Sequence, residues 1–80
     1  MISPHQCRAA RLLAGLSAQE LATKAGVGIA TVKRFESGQP VQALTIEAIT
    51  SALISAGIAF IAAGGASPDG GEGVRLAAVR

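Results

Sequence analysis

Short apolar stripes at helical spacing run through the first 57 residues of this 80-residue chain, the first two opened by serine and all four closed by glycine. Cys7, Ala10 and Ala14 recur at intervals of three and four, as do Leu21 and Ala25, then Val32 and Phe35, so three short helices each have one face to bury. Ser3-Pro4-His5-Gln6 combines an N-cap serine, a proline at the first helical position and a glutamine three residues after the cap, which starts the first helix at about Pro4. Gly15 ends it. Ser17-Ala18-Gln19-Glu20 repeats the capping box and opens a second helix over 18–25, stopped by Gly26, which can take the left-handed conformation at little cost. A third helix is predicted over 29–37, closed by Gly38, and Ala22 is small where the second and third helices come closest.

After Pro40, Ala43, Ile46, Ile49 and Leu53 recur at helical spacing and predict a fourth helix over 43–56 with Gly57 as its stop. Residues 48–66 carry no charge and are nearly long enough to cross a bilayer. Thr50, Ser51 and Ser55 opposite the stripe, and Gly57 in the middle, argue against a membrane span. From Ile58 the pattern turns strand-like. Residues 58–62 and 73–79 flank a loop rich in Gly, Ser, Pro and Asp, which predicts an open β-hairpin.

The second and third helices, joined by a short turn, form the unit whose second helix can enter a major groove. The run Leu16-Ser17-Ala18-Gln19-Glu20-Leu21-Ala22-Thr23-Lys24-Ala25-Gly26-Val27-Gly28-Ile29-Ala30-Thr31-Val32-Lys33-Arg34-Phe35-Glu36-Ser37-Gly38 resembles the Cro and phage-repressor helix-turn-helix family, also called the XRE type. The Leu-Ala pair, the Ala-Gly-Val turn, the Thr-Val step and the Glu-x-Gly ending all fall in register. With its flanking helices the resemblance covers most of residues 3–57, and the tail is similar to small members of the family that end in a β-hairpin.

The resemblance implies a mainly α fold: a four- to five-helix repressor-like DNA-binding domain over 1–57 and a hairpin over 58–80 that serves dimerisation. It also implies a homodimeric transcription regulator that binds double-stranded DNA sequence-specifically, acting as a repressor. Carried over by position, the base-facing residues are Ile29 and Ala30 at the start of the third helix, with Lys33 and Arg34 one turn later, and Gly28 at the cap of that helix counts among the DNA-binding residues. The phosphate contacts are Ala18, Gln19 and Thr31, and Arg11 with Glu36 form an ion pair between the first and third helices.

Chemistry supports part of this independently, since arginine can donate two hydrogen bonds to guanine and free N–H groups at a helix start suit phosphate. The sequence departs from the family where Gly28 replaces the usual Ser or Thr cap and where Ile29 and Ala30 replace polar base readers. Specificity is therefore expected to lean on Lys33, Arg34 and DNA shape. A lone hairpin is marginal in water, so it is expected to pair with a second copy or pack on the fourth helix. An antitoxin or adaptor, with its apolar C-terminal half on a protein partner such as a toxin or another regulator, is the competing reading.

Composition fits a small binding module. Residues 1–40 hold five Lys or Arg against two acids, and residues 41–80 hold two against three, so positive charge sits with the third helix. Phe35 and Phe60 are the sole aromatics, which argues against stacking platforms for single strands. One cysteine cannot form an internal disulfide, and no secretory leader opens the chain, so a cytoplasmic protein is expected. Cys7 is expected in the core and His5 on the first turn rather than at a metal. The glycines at 64, 65, 70, 71 and 73 lack the lysine of a phosphate loop. No enzymatic activity and no cofactor are expected.

Overall fold

The computed structural model describes residues 1–63 and 70–77. Four helices, α1 (Pro4–Leu13), α2 (Ala18–Ala25), α3 (Ile29–Glu36) and α4 (Ala43–Ser55), precede an antiparallel pair, β1 (Ile58–Ile61) and β2 (Gly73–Leu76). The third and fourth helices each stop one residue short of the sequence expectation. Ser37 and Ala56 have become C-caps, followed by Gly38 and Gly57 with φ of 87° and 96°. Val79 and the loop residues 64–69 lie outside the described residues.

Both predicted capping boxes form. At α1 the Gln6 N–H donates to Ser3 Oγ (3.1 Å) while the Ser3 N–H donates to Gln6 Oε1 (2.9 Å). At α2 the Glu20 N–H donates to Ser17 Oγ (3.0 Å) and the Ser17 N–H to Glu20 Oε1 (2.8 Å). That last bond, the leading cause, holds the Glu20 carboxyl below its usual range. Helix α3 begins at Gly28, which has extended backbone and no side chain to cap with.

Cys7, Ala10, Leu21, Ala22, Val32, Phe35, Ile49, Leu53 and Ile58 are buried together, so all four helices and β1 feed one core. Ala14 and Ala25 lie half-buried at its edge. Removing a fully buried side chain such as Leu53 or Ile49 from water contributes roughly 1.5–3 kcal/mol each. Ala43 does not join this core: it is exposed, and Ile46 is only half-buried. Helix α4 also leaves Leu44 and Ile54 exposed, so it is apolar on more than its inner face, and spacing alone misassigned one turn.

The hairpin pairs Ile58 with Leu76, Ala59 with Arg75, Phe60 with Val74 and Ile61 with Gly73. Its inner residues Ile58, Phe60 and Val74 pack on the helical core. Gln6 fastens it. Its Nε2 donates to the carbonyls of both Ile61 (3.1 Å) and Gly73 (3.0 Å), one on each strand, while its Oε1 serves the α1 cap. Ser3 Oγ adds a hydrogen bond to Glu72 just before β2. No helix among the described residues is long and apolar enough to cross a membrane.

Candidate nucleic-acid interface

Burial divides α3 into two faces. Val32 and Phe35 are buried, while Ala30, Lys33, Arg34 and Ser37 are exposed at spacings of three and four. Because the apolar positions turn inward, the two cations are turned outward together. Ala30, Lys33, Arg34, Ser37 and Gln39 line one shallow trough along the helix. On its other flank, Thr31 and Arg34 meet Val41, Gln42 and Thr45 in a second groove leading to the start of α4. Among the described residues neither Lys33 nor Arg34 has a salt-bridge partner.

Of the residues singled out from sequence, Gln19, Gly28, Ala30, Lys33 and Arg34 are exposed, and Ala18, Ile29 and Thr31 are half-buried. Ala18 and Ile29 also pack against the core, so each offers only part of its surface. The N–H groups of Ala18 and Gln19, and of Ile29 and Ala30, precede the first hydrogen-bonded turn of their helices and take no protein acceptor among the described residues. The two helix starts therefore present unpaired donors and the positive ends of two helix dipoles. Gln19 Nε2 reaches Thr23 Oγ1 at 3.4 Å, along the exposed face of α2.

Ser37, Gln39, Gln42 and Thr45 were not singled out from sequence. Ser37 caps the third helix, Gln39 lies in the breaker Gly38-Gln39-Pro40, and Gln42 and Thr45 open the fourth helix, so polar residues on both sides of a cationic helix were the signal available. Ser37 is also structural, since its hydroxyl donates to the Arg34 carbonyl at 2.9 Å.

The frame behind α3 is polar and closed. Arg11 Nε donates to Glu36 Oε2 (2.9 Å) and Nη2 to Oε1 (3.0 Å), while Nη1 donates to the Leu16 carbonyl (3.1 Å). The hydrogen bond to Glu36 is the main cause that raises the Arg11 guanidinium further above its ordinary value. Cys7 Sγ donates to the same Glu36 Oε2 at 3.4 Å. Burial first, and the Glu36 carboxylate second, push the Cys7 thiol up to about 12, so it is a protonated donor and a poor nucleophile. His5 sits exposed on the first turn.

An inward pair of helices, a turn through Gly26 (φ 73°), and an outward cationic face on the second helix define a helix-turn-helix unit. The helix-turn-helix family profile matches residues 8–54, and the chain belongs to that family, in its XRE-type branch of DNA-binding transcription regulators. Among curated proteins, none matches the chain.

Proposed function

We propose that this protein is a homodimeric, sequence-specific regulator that places α3 in the major groove of double-stranded DNA and represses by occupancy. The observation that carries this reading is the outward face of α3, with exposed Lys33 and Arg34 behind an α-helical start whose N–H groups are unpaired. Arg34 is the base reader, because its fork can span guanine O6 and N7, and Lys33 adds a point charge to base or phosphate. The N–H groups of Ala18 and Gln19, with Thr31, hold phosphates and set the register.

Gly28, Ile29 and Ala30 bring the backbone close to the groove and offer only methyl contacts to thymine, so the specificity ratio is modest. Two copies double the readout and place two α3 helices roughly 34 Å apart, one turn of DNA. Selection of bound sequences from random duplex DNA tests this. The expected product is a motif of two half-sites separated by about one turn, about 34 Å. Failure to enrich any sequence would instead favour an antitoxin or adaptor whose apolar C-terminal half engages a protein partner.

A further inference from the structure

We propose that Ala30 and Arg34 together read a 5-methylpyrimidine followed by guanine, so that thymine and 5-methylcytosine are equivalent ligands at that step and cytosine methylation strengthens binding. The proposal rests on the reading above that α3 enters the major groove, and it names what the helix selects there.

Ala30 and Arg34 stand four residues apart on α3, are both exposed, and line the same trough. That spacing places them on one face of the helix, about 6 Å apart along its axis. Long helical side chains lean toward the helix N-terminus, so the Arg34 guanidinium reaches back over the turn that carries Ala30. Nothing else crowds this spot. Ile29 and Thr31 are half-buried, Val32 is in the core, and Arg34 has no salt-bridge partner among the described residues to hold it elsewhere. The outward face of α3 is therefore a charged fork with a single methyl group beneath it.

The groups on this face decide what it can distinguish. In the major groove cytosine and adenine show amino donors, guanine shows two acceptors, and thymine shows an acceptor beside its C5-methyl. Reading an amino group takes an acceptor, and the one carboxylate of α3, Glu36, is held by Arg11 on the inner side. The Ser37 hydroxyl is turned to the Arg34 carbonyl, and Gly28, Ile29 and Ala30 carry no polar side chain. Gln39 follows the C-cap, at the opposite end of the helix from Ala30. Lys33 and Arg34 only donate. What the face can select is thus a guanine for the Arg34 fork and an apolar group for Ala30.

A methylated pyrimidine on the 5′ side of that guanine supplies the apolar group. Successive bases are spaced about 3.4 Å along the duplex, so a guanidinium lying in the plane of its guanine meets the neighbouring methyl with its flat face. The right-handed twist of the duplex swings the C5 edge of the 5′ pyrimidine over the guanine edge. Ala30 then closes on the same methyl from the helix side. Thymine and 5-methylcytosine carry this methyl at the same position, and they differ only at the neighbouring O4 or N4, where Ala30 has no polar group to tell them apart. Uracil and unmodified cytosine lack it. A CpG step with its cytosine methylated is bound like a TpG step, and the unmethylated step is bound more weakly.

The test is a binding titration of the full chain against four duplexes built on the sequence enriched by selection. They differ only at the pyrimidine before the guanine whose preference is lost in Arg34→Ala: thymine, uracil, 5-methylcytosine or cytosine, each with its Watson–Crick partner. Thymine against uracil and 5-methylcytosine against cytosine each compare one methyl at constant base pairing. In both comparisons the methylated duplex should bind about fourfold more tightly for a change in one half-site, the effect of burying one methyl. Ala30→Ser should bring both ratios toward one, and the comparisons on the unmodified chain stand even if that variant fails to fold. Ratios undiminished in Ala30→Ser would overturn the role of Ala30. A preference for thymine over uracil with none for 5-methylcytosine over cytosine would overturn their equivalence. Ratios of one in both comparisons, or an enriched motif with no pyrimidine before the guanine, would overturn methyl reading and leave α3 standing as the DNA-reading helix. No enriched sequence at all would overturn both.

Discussion

Glu36, at the last turn of α3, is gripped from α1 by both prongs of Arg11 at 2.9 and 3.0 Å, and the pair is largely shielded, with side chains 14% and 10% exposed. This contact fixes the end of the helix that carries Lys33 and Arg34. Removing one partner of a shielded pair leaves the other charge without compensation, so Glu36→Ala is expected to destabilise by about 2–4 kcal/mol. That is a large share of the roughly 4–12 kcal/mol expected for 80 residues. Arg11→Met with Glu36→Leu should cost less than the sum of the single changes in urea denaturation. Additive losses would mean that the pair does not act as a unit.

Cys7 makes stability depend on alkaline pH. Its thiol is ordinary in the unfolded chain, with a pKa of 9.0, and is pushed up to about 12 in the folded one. Stability from the protonated thiol is complete below pH 9, then declines as the unfolded chain alone releases its proton, by about 1.4 kcal/mol per pH unit up to pH 12. Unfolding measured between pH 8 and 11 should show stability level at first and falling at this slope by about pH 10, and Cys7→Ala should flatten it. An equal slope in the variant would assign the loss to other groups.

Gly28 leaves the start of α3 without a side-chain cap although its backbone already has the capping conformation, φ -76° and ψ 152°. A Cβ there meets only Thr31 Oγ1, at 3.9 Å. Gly28→Ser should therefore add a cap and remove glycine's unfolded-state entropy, stabilising by about 0.5–1 kcal/mol. Thermal unfolding should rise by a few degrees, on the scale of about 4–8 °C per kcal/mol for a domain of this size. A lower midpoint would show that the position needs glycine for a reason other than capping.

Gln6 joins the hairpin to the helices. Gln6→Leu keeps a buried side chain of similar size but removes both donors to Ile61 and Gly73 and the acceptor for the Ser3 N–H, at a cost of about 1–3 kcal/mol. Native-state exchange should then find the hairpin amides opening before those of α2 and α3. Simultaneous opening of hairpin and helices would contradict this.

The features legible in the sequence were those decided within a few residues. Ser3 with Gln6, Ser17 with Glu20, and the glycines at 15, 26, 38 and 57 each set a helix boundary through local backbone chemistry, and all did so to within one or two residues. The second role of Gln6 was not legible, because its carbonyl partners lie 55 and 67 residues away and any polar residue could have met them. The face of α4 was ambiguous for a related reason: Leu44 and Ile54 lie on its exposed side, so periodicity did not distinguish core from surface. In α3, Val32 and Phe35 marked the inner face and thereby the outer one. The polar flank at Ser37, Gln39, Gln42 and Thr45 emerges only once α4 folds back beside α3.

On the proposed function, Arg34 reads a base from the exposed face of α3. Selection from random duplex DNA, run in parallel with the unmodified chain and Arg34→Ala at one stated salt concentration, tests it most directly. The expected result is an enriched motif for the unmodified chain and loss of preference at one base position per half-site in the variant, corresponding to about 1–3 kcal/mol. The same motif, with the same preference at every position in both proteins, would contradict the assignment.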